Sequence, residues 1–261
     1  MRLIQHNPYR TIGLLVGATA REQERQIKRL KHFVEAAVEA EADWSFPFLG
    51  ELNRTIETVN DAASKLNLDS DKMNAALFWF YNGNPITDEP AFEALKDGNP
   101  KLAIEIWRKL VGAQGDSYNE VTKRNASAFH NLSILYLQLS GVGVEALQLG
   151  LRYLESQFFN DLREKATDET YKISKKELQL IFLNKLNADG GNDSVRFCEV
   201  ISQIEFSAKE DFLKELIQSP IEQLEKKIDE ANTQRKTNKA NAIDAGEALY
   251  NMLIGNFASS F

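Results

Sequence analysis

The chain has 261 residues, of which 43% are hydrophobic and 26% charged, a composition typical of a folded globular protein. Its formal net charge of −7 argues against general binding to nucleic acids and to anionic membrane surfaces. The only cysteine is Cys198, so no intrachain disulfide can form, and we expect a reducing, cytoplasmic location. No apolar stretch approaches the roughly 20 residues that span a bilayer.

Helix-forming residues dominate the chain and glycine and proline are sparse, which predicts an all-α fold. Pro8 suits the first turn of a short helix, which we expect to end near Gly17. Thr19 is then a helix N-cap, because Glu22 follows at capping-box spacing. The helix that begins there has a basic face, with a net charge of +3 over residues 20–32. Its basic residues are Arg21, Arg25, Lys28, Arg29 and Lys31.

Three interpretations of this basic face stay open. It could be a solvated helix surface, it could dock against the acidic segment 35–69, which has a net charge of −6, or it could bind an acidic protein partner. The third interpretation makes four of its residues candidates for protein binding: Arg25, Lys28, Arg29 and Lys31.

An aromatic loop, "ADWSFPFLG", interrupts the helical pattern at residues 42–50. Its aromatic side chains either form an exposed binding loop or pack beneath the loop. The first alternative adds Trp44 and Phe46 to the candidate protein-binding residues.

Helical patterns continue to the C-terminal region. Two predicted helical hairpins turn at residues 97–100 and 141–143, and further helices are expected at about 174–187 and 194–202. Pro220 is expected to open a long polar helix, with heptad-like spacing through which the chain could self-associate. We therefore expect three parts: a helical domain at 1–87, hairpins at 88–160, and a helical region at 161–261.

The first part resembles a J-domain, the module with which Hsp40-type co-chaperones stimulate Hsp70. In "PYRTIGLLVGATAREQERQIKRLKHF", Tyr9, the Ile12–Gly13 pair and Ala20 stand at the positions of the family pattern, before a basic second helix. "VNDAASKLNLDSDKMNAALFWF" is similar to the third helix and the start of the fourth. The opening phrase also resembles that of an uncharacterised bacterial family. The alternative is a helical hairpin that shares Tyr-x-x-Ile-Gly by chance.

One departure from the J-domain pattern bears directly on activity. The His-Pro-Asp tripeptide of the family is absent from the chain, and Glu39-Ala40-Glu41 stands near its position. The resemblance therefore implies a J-like fold without stimulation of Hsp70.

The second part resembles tetratricopeptide repeats. "HNLSILYLQLSGVGVEALQLGLRYLES" has Ser133, Tyr136, Ala146 and Tyr153 around a glycine-containing turn. An earlier unit contributes Ala103, although the 43 residues from Ala103 to Ala146 exceed the family period of about 34. The resemblance implies helical hairpins that bind other proteins.

Residues typical of an active site or metal site are not grouped in the sequence. The three histidines follow no metal-binding spacing, and His130 lies in an apolar helix, as core histidines do. We therefore expect no catalytic residue, metal or cofactor. The two resemblances imply a non-catalytic adaptor protein that is associated with chaperones, and the basic face implies acidic protein partners. The alternative is an accessory part of a larger enzyme or effector system, whose catalytic part lies in a partner or beyond the C-terminus.

Overall fold

A computed structural model describes residues 1–38, 43–112, 118–189, 194–237 and 246–253. Helices dominate these ranges, and the β-structure within them is a single isolated parallel bridge between Val16 and Tyr81. The all-α class predicted from the sequence is confirmed.

The helices fall into three groups along the chain. The N-terminal group consists of α1 (Arg2–Gln5), α2 (Pro8–Ile12), α3 (Ala20–Glu35), α4 (Ile56–Ser64) and α5 (Asp69–Ala76), with a short 3-10 turn at Pro47–Leu49. The middle group consists of α6 (Pro85–Lys96), α7 (Pro100–Val111), α8 (Ala126–Ser140), α9 (Val144–Glu155) and α10 (Phe159–Ala166). The C-terminal group consists of α11 (Lys175–Asp189), α12 (Ser194–Ser202), α13 (Lys209–Thr237) and α14 (246–253).

Helix α2 begins as predicted, with Pro8 in its first turn and the Asn7 side chain accepting a hydrogen bond from the Tyr9 N–H at 3.0 Å. It ends at Ile12, whereas the sequence suggested an end near Gly17. Gly13 ends the helix early because it has a left-handed φ of +68° and its own N–H bonds back to the helix. An added Cβ at Gly13 would also collide with the Asp43 carboxylate.

Two arginines fasten the aromatic loop to α2. Arg10 is buried, and its guanidinium donates to three main-chain carbonyls: those of Gln5, Ser45 and Gly50. Arg54 donates to the Thr11 carbonyl at 2.7 Å and forms an ion pair with Asp43 at 2.7 Å. The loop is therefore held by charge-assisted hydrogen bonds at both of its ends.

The centre of the fold is the segment 75–82, which leaves α5 and continues without regular structure. Its four consecutive aromatic residues, Phe78 to Tyr81, are all buried. Buried main-chain groups need hydrogen-bond partners, and side chains from distant helices supply them here. The Asn7 amide donates to the carbonyls of Ala75 and Phe78 at 2.9 and 3.2 Å.

Helix α8 supplies further partners of this segment. His130 Nε2 lies 2.8 Å from the Trp79 carbonyl oxygen. The amide of Asn131 accepts from the Tyr81 N–H at 3.1 Å and donates to the Tyr81 carbonyl at 3.0 Å, as a neighbouring strand would. The predicted core position of His130 is confirmed, since its side chain is buried and bonded.

The two predicted hairpins are formed by α6 with α7 and by α8 with α9, and their turns lie where the sequence placed them. Asp88 of α6 is buried and accepts from Trp107 Nε1 of α7 at 3.0 Å. Ser133 of α8 donates to the Ala146 carbonyl of α9 at 2.7 Å. A Cβ at Gly150 would lie 2.7 Å from the Ser133 hydroxyl, so this pair of helices packs at a distance that only glycine allows.

The C-terminal region is tied to the hairpins by Glu155 at the end of α9. Its carboxylate accepts hydrogen bonds from Lys175 and Gln179 of α11 and from the main chain and hydroxyl of Ser207. Burial acts to raise the pKa of Glu155, but these hydrogen bonds outweigh it and lower the pKa to about 2.

One prediction for this region was wrong. Pro220 does not open the long polar helix, because α13 begins at Lys209 and continues through Pro220. A proline removes one N–H donor from a helix interior, and the remaining turns of this long helix retain theirs. The helices expected at about 174–187 and 194–202 are confirmed as α11 and α12.

The three parts expected from the sequence share one hydrophobic core. Among the described residues, the buried apolar side chains form a cluster that extends from Ile4 to Phe212. Buried residues from 1–87 pack against those of α8 and α11, for example Phe78 on Phe182 at a ring separation of 5.4 Å. The boundaries near residues 87 and 160 stay predictions.

The structure predicts a specific cost for Gly13→Ala. Gly98 has nearly the same φ of +71° with open space around the Cβ position, so Gly98→Ala is a matched control. The control should lose about 1–2 kcal/mol of unfolding free energy, the usual cost of a left-handed residue. Gly13→Ala should lose about 1–3 kcal/mol more, because the Asp43 carboxylate must move. Urea denaturation measures both losses, and equal losses would contradict the argument.

The Glu155 hydrogen bonds predict a pH dependence of stability. The pKa of Glu155 is lower in the folded chain than in the unfolded chain, so its contribution is complete above about pH 4.5 and is lost as the pH falls toward about 2. The unfolding free energies of the wild type and of Glu155→Gln should therefore converge over this interval. Glu169→Gln, at an exposed position, serves as the control for removal of one carboxylate. Urea titrations between pH 2 and 7 measure these differences, and a constant difference for Glu155→Gln would disprove the linkage.

Candidate functional site

A polar groove of about 540 Å³ lies beside the N-terminal half of α3. The irregular segment 13–18 forms one wall, and the side chains of Glu22, Arg25, Gln26 and Arg29 form the other. The lining is completed by Lys165 of α10 and by Asp43, Trp44, Asn82 and Pro85. We call this site the basic groove.

The groove exists because α3 starts at a fixed position. Thr19 caps the helix in the predicted capping box, with the Glu22 carboxylate accepting from the Thr19 main-chain N–H and hydroxyl at 2.8 Å each. Since residues four apart share a helix face, Arg25 and Arg29 then point along the same side. The capping box predicted from the sequence is confirmed.

The opposite wall is fixed by the central aromatic segment. The Val16 N–H donates to the Phe80 carbonyl at 3.1 Å, and Trp79 Nε1 donates to the Leu14 carbonyl at 2.7 Å. Gly17 has a left-handed φ of +95°, and its Cβ position is 3.2 Å from Lys165 Cβ. Lys165 therefore packs directly on this wall.

The acidic and basic side chains that line the groove differ in the hydrogen bonds and ion pairs that they form. The Glu22 carboxylate is engaged by Thr19, whose hydrogen bonds lower the pKa of Glu22, and the Asp43 carboxylate is paired with Arg54. Arg25 and Lys165 form no ion pair within 4 Å with any residue that the structure describes. The groove thus presents cationic groups to solvent while its carboxylates are held by their own neighbours.

Trp44 borders the groove and is half-buried. Lys96 Nζ lies 3.8 Å from the centroid of its ring, a cation–π contact, and the ring meets Phe92 edge to face at 5.8 Å. The indole is therefore held in place by α6, and its exposed part can contact a ligand.

Phe46 is removed from the candidate protein-binding residues because it is 1% exposed. Its ring packs 5.2 Å from that of Phe80 and 6.3 Å from that of Phe92, inside the core. Of the two alternatives for the aromatic loop, packing beneath the loop applies to Phe46. Trp44 is half-buried and borders the groove.

The structure also separates the basic residues of α3 into two sets. Arg25 and Arg29 line the groove, and the Arg29 guanidinium also lies 5.3 Å from the Phe33 ring. Lys28 is exposed and Lys31 half-buried, and neither lines the groove. Of the described acidic residues in 35–69, Asp43 alone reaches this groove, while residues 39–42 lie outside the described part of the chain.

Two contributors to the groove were missed from the sequence. Lys165 lies 140 residues beyond Arg25, and only the packed fold brings the two together. Asn82 also lines the groove, and its side-chain oxygen Oδ1 is buried and accepts no hydrogen bond within the described structure.

Histidine and cysteine often act in catalysis, and burial shifts the pKa of both His130 and Cys198 in this structure. Burial lowers the pKa of His130 to about 4, so its ring is neutral, and burial raises the pKa of the Cys198 thiol. Within the described ranges, no three side chains of His, Cys, Asp or Glu are grouped as a metal ion would require. In the same ranges, no helix has both the length and the hydropathy to cross a membrane.

Comparison of the chain with protein-family models, with curated proteins and with solved structures finds no match. The geometry and charge of this chain's own residues are therefore the basis for inferring its function. The basic groove is the place where three of the candidate residues, Arg25, Arg29 and Trp44, come together.

Proposed function

We propose that the protein is a non-catalytic adaptor of the cytoplasm that captures an acidic segment of a protein partner in the basic groove. The observation that carries this proposal is the convergence of Arg25 and Lys165 on a groove whose carboxylates are already engaged. The three cations of the lining, Arg25, Arg29 and Lys165, outnumber its two carboxylates, Glu22 and Asp43, and Arg54 offsets the charge of Asp43, so the groove attracts negatively charged chains.

The groove has a suitable size for this role. Its volume of about 540 Å³ falls within the usual range of ligand sites, about 300–1,000 Å³. Exposed charge pairs contribute only about 0.2–1 kcal/mol each, so binding through this groove is expected to be reversible and sensitive to salt. Such transient capture suits an adaptor.

The J-domain-like and tetratricopeptide-like resemblances support an association with chaperones as part of the same proposal. Tetratricopeptide-like hairpins in α6 to α9 would supply a scaffold, and the N-terminal part would supply the groove. Because the chain lacks the His-Pro-Asp tripeptide, the proposed role does not include the stimulation of Hsp70.

Charge reversal in the groove should weaken partner capture. We expect Arg25→Glu/Lys165→Glu to reduce the recovery of acidic partners from a host lysate about tenfold, because attraction becomes repulsion. Arg21→Glu/Lys28→Glu makes the same change of charge outside the groove lining and should retain them. Quantitative affinity capture at low salt, with circular dichroism as a folding check, measures both. Equal recovery by the wild type and the groove variant would refute the proposal.

A second prediction concerns Hsp70. The protein should leave the steady-state ATPase rate of Hsp70 unchanged, since the tripeptide that the J-domain family uses is missing. An intact J-domain protein serves as the positive control in the same assay. Clear stimulation by the wild type that is lost in Arg25→Glu/Lys165→Glu would show that the groove itself activates Hsp70.

A further inference from the structure

A second groove, of about 760 Å³, lies between the C-terminal end of α3 and the residues that follow the aromatic loop. One wall is formed by residues 45–47 and 50–54. The other wall consists of five apolar residues at the end of α3 and just after it: Leu30, Phe33, Val34, Ala37 and Val38. We call this site the apolar groove.

The apolar side chains of this groove are open to a ligand. Val38 is 56% exposed, and Phe33 and Val34 are half-buried. Leu30 and Phe46 are each 1% exposed and lie at the base of the groove. A single exposed apolar residue is ordinary in a folded protein, whereas several that line one groove indicate a binding surface.

The main chain is strained at two positions of the same groove. Ala37 and Phe46 have left-handed φ angles of +52° and +54°, and among the described residues no other non-glycine residue has a positive φ. Both line the apolar groove. Glycine would end α3 at position 37 without strain, so the chain keeps a methyl group in the groove at a cost in stability. Strain of this kind is concentrated at functional sites.

The apolar groove adjoins the basic groove at the aromatic loop. Asp43 lines the basic groove and Arg54 lines the apolar groove, and their ion pair of 2.7 Å joins the two. Trp44 of the basic groove and Phe46 of the apolar groove have ring centroids 6.3 Å apart. A short segment of a partner can therefore occupy both grooves at once.

The two grooves favour different side chains. The basic groove has an excess of cations, as described above. The charged residues that line the apolar groove are Arg54, whose charge Asp43 offsets, and the exposed Glu51. Since Glu51 opposes a further carboxylate, the apolar groove suits an uncharged and apolar side chain.

We propose that the acidic segment captured by the basic groove carries a large apolar side chain next to its acidic residues, and that this side chain anchors in the apolar groove. This inference rests on the proposed function and specifies its ligand. Carboxylates of the segment face Arg25, Arg29 and Lys165, and a leucine or phenylalanine contacts Phe33, Val34 and Val38. Charge alone accepts many acidic chains, whereas an apolar anchor that fills a pocket selects among them.

The test compares labelled heptapeptides in which four glutamates and one glycine are joined to two leucines or to two serines. All have the same number of carboxylate side chains, and each is made in both orders because neither groove fixes the direction of the segment. Fluorescence anisotropy with the full chain at low salt should give about tenfold tighter binding of the leucine peptide than of the serine peptide in at least one order.

Val38→Ser supplies the matched variant. Val38 is exposed, so its replacement should leave the melting temperature unchanged. The variant should bind the leucine peptide about threefold more weakly and the serine peptide as the wild type does. Leu68→Ser changes a 64% exposed residue outside both grooves and should bind both peptides as the wild type does.

The outcomes separate this inference from the proposed function. Binding that is lost in Arg25→Glu/Lys165→Glu but is equal for the leucine and serine peptides would overturn the apolar anchor alone. A preference for leucine that Val38→Ser does not reduce would do the same. A wild-type dimer that Val38→Ser abolishes in sedimentation velocity would assign the apolar groove to a second copy of the chain and would also overturn the anchor. No saturable binding of any peptide would contradict both proposals.

Discussion

The fold depends on satisfying the main chain of one buried, irregular segment. Residues 75–82 bring four consecutive aromatic side chains into the core, and this burial is favourable only if the accompanying N–H and C=O groups find partners. Asn7 from the N-terminus and His130 and Asn131 from α8 supply them. These side chains therefore decide where α1, α2 and α8 lie relative to one another. The same segment positions the wall of the basic groove, because Phe80 and Trp79 form hydrogen bonds to Val16 and Leu14.

The groove shows how an acidic protein can present a cationic site. The carboxylates near it are not removed but engaged, Glu22 by the cap of α3 and Asp43 by Arg54. Both partnerships also have a structural purpose, since one starts a helix and the other fastens the aromatic loop. The local excess of positive charge comes from Arg25, Arg29 and Lys165, because Arg54 offsets the charge of Asp43. Screening by salt would weaken the attraction of this site far more than it would weaken the buried hydrogen bonds that shape it.

The features that the sequence predicted well are those set by neighbouring residues. The capping box at Thr19 and Glu22, the first turn at Pro8 and the hairpin turns near residues 97–100 and 141–143 depend on a few adjacent side chains. The errors arose where distant packing decides. Gly13 ends α2 in a left-handed conformation against Asp43, and α13 continues through Pro220. Arg25 and Arg29 could be assigned to the site from the sequence, because they share a helix face. Lys165 could not, because its place in the groove follows from packing between residues far apart in the sequence.

The double hydrogen bond between Asn131 and Tyr81 has a consequence for the order in which the chain folds. During synthesis, the aromatic segment emerges about fifty residues before Asn131, and its main chain has no partner from α8 in that interval. Non-local contacts of this kind slow folding and leave apolar surface exposed on the nascent chain. The N-terminal 87 residues would accordingly remain incompletely packed until α8 has left the ribosome. A protein built in this way needs protection from aggregation at one defined stage of its own synthesis.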